Sequence, residues 1–374
     1  MKKILAALFG AALLVAGGTA PAEVSVRSGA RLDLWEDTRD FSGSQAVVPL
    51  RVEWSKGPAA VSLLAGFART EVNLPGAGDR SLADLLDTKL NLSWFVEGKL
   101  PVDLLLGLDI NLPTGRTDLP AANLVLIQDA EIAAVTSFGE GVNVNPTLSA
   151  VREWGAWAAG LGAGYAVRRP YDVSSEAGLA DFDPGDVLSL NALVTRSFAR
   201  GYTGRLFGRF CRFGKDRLGG ADYFREGDYR MIGLGVFRSG AAWEADTSLR
   251  ATFRGRTEIR SGGALVEEPN RSRGDEWTLE AQVRHRPKDN VALSASLRGL
   301  LVAKNGYPHD SPRFNGERRK ISLSLGCDRT YPRGLTAGVS LSGFVLSEET
   351  QSLPVPRAER TTRGAALSFR IGLN

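Results

Sequence analysis

The sequence predicts an all-β fold: a transmembrane antiparallel up-and-down β-barrel of about sixteen strands, with fourteen the nearest rival count, and with short turns on one rim and long loops on the other. Three observations predict it. Apolar and polar residues alternate strictly in many separate segments. The connections between those segments are alternately short and long. Past the N-terminal region no run reaches the roughly 18 apolar residues that a membrane-crossing helix needs.

The N-terminal segment reads as an export signal. Lys2 and Lys3 precede an apolar run from Ile4 to Ala16, and Ala20-Pro21-Ala22 fits a small-x-small cleavage site. The run is too short to cross a bilayer. The expectation is a cleaved signal peptide over 1–22 and a single barrel domain over 23–374.

Alternation then marks sixteen strands, near 24–35, 45–55, 59–71, 88–97, 101–112, 141–153, 156–168, 186–198, 202–214, 226–238, 242–256, 275–286, 290–303, 317–329, 334–347 and 361–374. In the fifth, Val102, Leu104, Leu106, Leu108, Ile110 and Leu112 fall on one face, with Asp103, Leu105, Gly107, Asp109 and Asn111 on the other. The thirteenth alternates Val291, Leu293, Ala295 and Leu297 with Ser294, Ser296 and Arg298. In the fourteenth, Ile321, Leu323 and Leu325 alternate with Ser322, Ser324 and Gly326, and the last sets Leu367, Phe369 and Ile371 against Ser368 and Arg370. The eighth segment places Arg196 in the apolar register, and neither face of the tenth is clearly polar. Short turns follow alternate strands, as at Ser55–Pro58, Trp154-Gly155, Ala199–Gly201 and Tyr331–Arg333. A soluble sandwich would not need so many long strands of uniform length. A closed barrel does, because an open sheet edge cannot exist in hydrocarbon. An even strand count puts both termini on the short-turn rim, the periplasmic side of such barrels. Trp54, Trp94, Trp154, Trp157, Trp243 and Phe198 lie at short turns, with Trp35 and Trp277 near the long loops, as two interfacial girdles would require.

Composition narrows the function. Of 374 residues 43% are hydrophobic and 24% charged, which excludes a globally disordered chain. Two cysteines, Cys211 and Cys327, exclude a disulfide scaffold and a four-cysteine zinc site, and their positions toward opposite rims predict free thiols. His285 and His309 leave little for metal ligation or histidine catalysis, and no cofactor is expected. The cations are mostly arginine and spread singly, so nucleic acid is not an expected partner.

The inward register carries sixteen cations against nine anions, among them Arg27, Arg31, Arg205, Arg209, Arg250, Arg254, Arg284 and Arg298, with Asp103 and Asp109. Small residues fill much of the rest, which leaves room for water at this strand number. A cationic wall lowers the barrier for anions. Gly160, Gly162 and Gly164 share one face of the seventh segment, which suggests close approach of another backbone or loop.

Loop 113–140 is the longest and carries Leu119, Leu124, Leu126, Ile127, Ile132 and Val135, too much apolar surface for a solvated loop. It is expected to fold inward and narrow the pore, with a short helix over 123–136 capped by Asn123. Asp118, Asp129 and Glu131 would then face the arginines of the ninth, eleventh and twelfth segments. Packing over the rim or on a neighbouring protomer is the other reading of the same loop.

The signal segment, the sixteen strands and the long third loop resemble the bacterial outer-membrane porins. That resemblance implies residence in the outer membrane of a Gram-negative cell, contact with outer-membrane lipid, a homotrimer, and passive diffusion of small hydrophilic solutes or ions. The general members end in a C-terminal Phe, whereas this chain ends Phe369-Arg370-Ile371-Gly372-Leu373-Asn374. Locally, Leu112-Pro113-Thr114-Gly115 and Asp183-Pro184-Gly185-Asp186 are similar to segments of outer-membrane channels linked to aromatic and hydrophobic compounds. Function at this point is a channel leaning toward anions. A gated transporter of hydrophobic or aromatic compounds, a closed structural barrel and an outer-membrane hydrolase are the alternatives. A hydrolase would need converging nucleophile and base, and His309, Asp310 and Ser311 are adjacent in one loop, which argues against an enzyme.

Overall fold

The structure is a computed structural model that describes residues 22–76, 78–352 and 355–373. The signal segment 1–22 therefore lies, up to residue 21, outside the described residues.

Sixteen antiparallel strands close into one barrel: β1 Glu23–Asp37, β2 Ser42–Lys56, β3 Ala59–Leu74, β4 Thr88–Val96, β5 Asp103–Leu112, β6 Asn143–Trp154, β7 Trp157–Arg168, β8 Val187–Ser197, β9 Tyr202–Phe213, β10 Tyr229–Ser239, β11 Trp243–Arg254, β12 Glu276–Lys288, β13 Val291–Val302, β14 Arg318–Thr330, β15 Leu335–Ser352 and β16 Val355–Leu373. Each pairs with its sequence neighbour. β1 closes the ring on β16, from Val26 opposite Leu373 to Asp37 opposite Thr362. Closure leaves no strand edge along the wall, the condition for a sheet in lipid.

Alternation decides the faces. Val48, Leu148, Leu161, Leu234, Ile321 and Leu341 stand exposed on the outer face, where burying apolar surface in lipid replaces burial in a core. Serine, glycine and charged residues take the inner face. The two weak segments are both barrel strands. Arg196 does occupy the outer face of β8, and it is tolerated because its guanidinium lies 5.0 Å from the ring centroids of both Trp157 and Phe198 at the short-turn rim. A long cationic side chain can place its head at the headgroup level there while its stem stays apolar. β10 lacks a polar inner face because Gly233 and Gly235 take inward positions beneath the side chains of Phe207 and Arg205 from β9.

Several elements depart from the sequence expectation. Gly78–Leu85 forms an extra strand that pairs with the upper half of β3, from Phe67 opposite Leu85 to Leu74 opposite Gly78, and raises the wall there. β15 and β16 continue past the rim as a paired hairpin, beyond the expected limits of 347 and 361. The long loops 169–186, 214–228 and 255–275 contribute a separate five-stranded sheet, in the order Ala264–Glu267, Glu258–Ser261, Ala221–Arg225, Asp216–Leu218 and Phe182–Asp183. Its two hairpins turn at Gly219-Gly220 and Gly262-Gly263, all four glycines having positive φ. Two successive left-handed residues make the turn whose twist matches a hairpin, and only glycine adopts that freely.

Candidate functional site: the charged inner face and its loop

Loop 113–142 joins β5 to β6. Its base is clamped by Asp87, just before β4. One Asp87 oxygen accepts the Gly115 N–H (2.9 Å), and the other accepts the Glu140 N–H (2.7 Å) and the Asn111 side-chain amide (2.6 Å). Gly115 is required there. A Cβ at that position would stand 1.9 Å from the Phe138 carbonyl oxygen, which itself accepts the Asp87 N–H. Thr114 of the same Leu-Pro-Thr-Gly segment bonds Thr88 and the Leu86 carbonyl. Gly185 of the Asp-Pro-Gly-Asp segment is constrained in the same way: a Cβ would meet Gly214 backbone at 2.4 Å, and its N–H binds Asp216 at 2.7 Å.

The expected helix over 123–136 is absent. A short 3-10 helix, Ala121–Leu126, follows Pro120, and Asn123 does not cap it. The loop instead spreads its apolar side chains over the wall. Leu119, Leu126, Ile132, Ala133 and Phe138 form one buried cluster with Trp35 of β1, Val47 of β2, Ala68 and Val72 of β3, Leu82 and Leu346 of β15. Trp35 is therefore core beneath the loop, 3% exposed, and not part of an interfacial girdle. Its inward register, shared with Asp33 and Arg31, decides this.

Polar contacts fix the loop at two places. Gln45 of β2, fully buried, donates to the Val135 carbonyl (2.9 Å) and accepts the Val135 N–H (2.7 Å), pairing with loop backbone as a strand would. On the other side, Glu131 takes both terminal nitrogens of Arg298 from β13 and the ammonium of Lys320 from β14. Asp129 pairs with Arg318 of β14 at 3.0 Å. Burial by itself would raise the Glu131 carboxyl. The Arg298 hydrogen bonds and the charges of Lys320 and Arg298 outweigh it and hold that carboxyl at about 2.

This corrects the expected placement of the acids. Asp129 and Glu131 meet β13 and β14, not the arginines of β9, β11 and β12. Asp118 meets no arginine of the wall among the described residues: it accepts the Ser175 N–H (2.7 Å) and hydroxyl (3.1 Å), linking this loop to loop 169–186. The reason is the anchor at Gln45, which fixes Val135 at β2, so that Glu131 and Asp129, a few residues earlier, reach β14 and β13 across β1, β16 and β15.

The expected lining residues do not all remain free. Arg31 pairs with Asp33 (2.7 Å), Arg205 with Asp246 (2.6 Å), Arg250 with Glu280 (3.5 Å) and Arg254 with Glu226 (3.1 Å). Arg27 lies 3.8 Å from Glu53. Asp103 caps a short turn through the Gly98 N–H, and Asp109 accepts from Asn91 and Asn145. Arg209 and Arg284 form no ion pair among the described residues. Arg284 lines a cavity of about 700 Å³ at the short-turn end with Arg27, Arg51, Arg286 and Arg370, opposed by Asp289 and Asp328.

The three glycines of β7 face residues of the adjoining strands rather than a loop: Gly160 meets Val151, Gly162 meets Ser149, and Gly164 meets Asn145 and Ser189. His285 stacks on Trp243 at 3.9 Å on the outer face, and His309 packs on Phe314. Cys211 and Cys327 are free thiols. Gln45 and Asp87, the two anchors of the loop, were not singled out by sequence. A lone polar residue inside an alternating strand gives no sign of what it binds.

A closed barrel with an apolar outer face and a charged inner face is a transmembrane β-barrel. No protein-family model matches the chain, and no curated protein matches it. Solved structures similar to it include OccAB1 of Acinetobacter baumannii, at 8% identity and TM-score 0.48 over 96% of this chain and 99% of that one. OpdQ of Pseudomonas aeruginosa is similar at 10% identity and TM-score 0.45, over 94% and 99%. The anion-selective porin of Comamonas acidovorans is similar at 13% identity and TM-score 0.42, over 95% and 100%.

Proposed function

We propose that this chain is a bacterial outer-membrane channel for passive diffusion of small solutes, with a preference for anions. The observation that carries the reading is the state of the inner-face cations. Most guanidiniums are matched by carboxylates, while Arg209 and Arg284 are not matched among the described residues. A matched pair contributes little to the field along the pore axis. An unmatched guanidinium on a water-filled wall attracts anions and presents five donors to a carboxylate or phosphate. Glu131 and Asp129 supply the opposing sign where the loop meets β13 and β14, so a solute passing there would meet a paired wall rather than a free acid.

The test is single-channel conductance of the refolded protein in a planar bilayer under a salt gradient. Stable steps with a reversal potential on the chloride side support the reading. Silence from folded protein would reject it in favour of a closed barrel or a gated transporter.

A further inference from the structure

The outer face at the short-turn rim carries a row of cations that the channel reading does not use. Arg152 of β6, Arg196 of β8, Arg238 of β10 and Arg329 of β14 occupy outward positions within a few residues of the short turns, and all four are exposed. Three of them lie over aromatic rings: Arg196 over Trp157 and Phe198, Arg238 over Tyr202 at 5.1 Å, and Arg329 over Tyr331 at 5.1 Å. None of the four has an ion-pair partner among the described residues.

A short sequence repeat builds part of this row twice. Arg196-Ser-Phe198-Ala-Arg200-Gly201 and Arg329-Thr-Tyr331-Pro-Arg333-Gly334 share the pattern Arg-x-aromatic-x-Arg-Gly. Both form the same turn, closed by Phe198 N–H to the Tyr202 carbonyl (2.8 Å) and Tyr331 N–H to the Leu335 carbonyl (2.7 Å). Each holds its second arginine in the left-handed region, Arg200 at φ 65° and Arg333 at φ 67°. That conformation is unfavourable for a non-glycine residue. Both turns adopt it, and in both the second arginine is exposed, four residues from the first.

Charge on the rest of this band is one-signed. Among the described residues, no Asp or Glu takes an outward position in the short-turn half of any strand. Of the acids in the short turns, Asp289 lines the inner cavity, and Glu97, in the β4–β5 turn one strand from Arg152, forms no ion pair with it among the described residues. Cations alone at the headgroup level of a lipid-facing surface need anions from the lipid. A guanidinium held over a ring keeps its N–H edge free, and that edge matches two oxygens of a phosphate.

We propose that this arginine–aromatic row, with the two Arg-x-aromatic-x-Arg-Gly turns as its strongest sites, binds the phosphodiester headgroups of anionic phospholipids in the leaflet at the short-turn rim. Phosphatidylglycerol, with one net negative charge, fits, while phosphatidylcholine presents the same phosphate behind a fixed cation.

Native mass spectrometry of the full refolded barrel from detergent, with equal phosphatidylglycerol and phosphatidylcholine, tests this. The expected result is retained phosphatidylglycerol adducts at about five-fold or greater preference. The variant carrying Arg196→Gln, Arg200→Gln, Arg329→Gln and Arg333→Gln loses that preference. No preference in the native chain, or the same preference in a variant shown to be folded by heat-modifiable gel mobility, overturns the proposal. If the variant does not fold, acyl-brominated lipids report on the native protein alone. Tryptophan quenching by brominated phosphatidylglycerol, diluted in phosphatidylcholine, should exceed that of the converse mixture, and 1 M salt should remove the excess. Equal quenching in both mixtures overturns it. Barrels that associate and exclude both brominated lipids from the row also overturn it, and would assign the row to a second copy of the chain.

Discussion

Arg298 and Glu131, 167 residues apart in sequence, meet fork to fork: the two terminal nitrogens of the guanidinium lie 2.5 and 2.9 Å from the two carboxylate oxygens. Lys320 completes the cage at 3.1 Å. A carboxylate with two cationic partners and an 18% exposed side chain is the tightest polar link between the loop and the β13–β14 wall. Glu131→Gln removes the charge but not the shape. The charged hydrogen bonds it loses are worth about 1.5–3 kcal/mol. Amide exchange at Ile132 and Val135 should therefore accelerate by roughly ten-fold to a hundred-fold, measured by hydrogen-exchange mass spectrometry, while exchange in β8 and β9 stays unchanged.

The same link sets an acid limit. A carboxyl held at about 2 in the folded protein, against 4.5 when unfolded, contributes its full stabilisation above pH 4.5. The contribution declines as pH falls from 4.5 and is gone below about 2. Loop exchange at fixed intrinsic rate should be flat from pH 7 to pH 5 and rise only in the acid window. A rise centred near pH 6 would show that some other group controls the loop.

Selectivity separates matched from unmatched charge. Arg209→Gln with Arg284→Gln subtracts two charges that have no carboxylate partner among the described residues. The chloride-to-potassium permeability ratio should fall by about two-fold or more. Arg205→Gln with Asp246→Asn removes a pair bonded at 2.8 and 2.6 Å and leaves the net charge as it was. That double variant should leave the reversal potential nearly unmoved. An equal shift in both would mean that pairing does not screen these arginines.

The base of the loop offers a backbone test. Gly115→Ala places a methyl 1.9 Å from the Phe138 carbonyl oxygen, which cannot move without breaking its bond to the Asp87 N–H. Asp87→Ala removes three hydrogen bonds at the same point. Both should leave the barrel intact by circular dichroism and raise protease susceptibility within loop 113–142. Resistance equal to that of the native chain would show that the Gln45 and Glu131 anchors suffice.

These residues also show how far the sequence could be read. The strands were legible because one period, repeated against a single apolar solvent, fixes which residues share a face, while the weak alternation of β8 and β10 left the count open to fourteen. The loop was legible as apolar but not as a conformation. Its register is set by Gln45 and Asp87, which look like any other polar residue in sequence. Pairing of the inner arginines was not legible either, since Glu226 and Glu131 reach Arg254 and Arg298 from loops whose course alternation does not fix. The five-stranded sheet left one signal, the two Gly-Gly turns, flanked by strands too short for a period to show.

The assignment of faces can be tested on one strand. Leu323 stands outward on β14, 52% exposed, and Ser324 beside it turns inward. An arginine at the outer position near mid-strand must be carried into hydrocarbon, at about 2–4 kcal/mol. At the inner position it would join a wall that already holds guanidiniums in water. Leu323→Arg should lower the urea midpoint for folding into bilayers, whereas Ser324→Arg should fold as the native chain does and raise anion preference. If both variants fold equally well in bilayers, β14 does not face lipid with its apolar side, and the barrel would have to bury that face against protein instead.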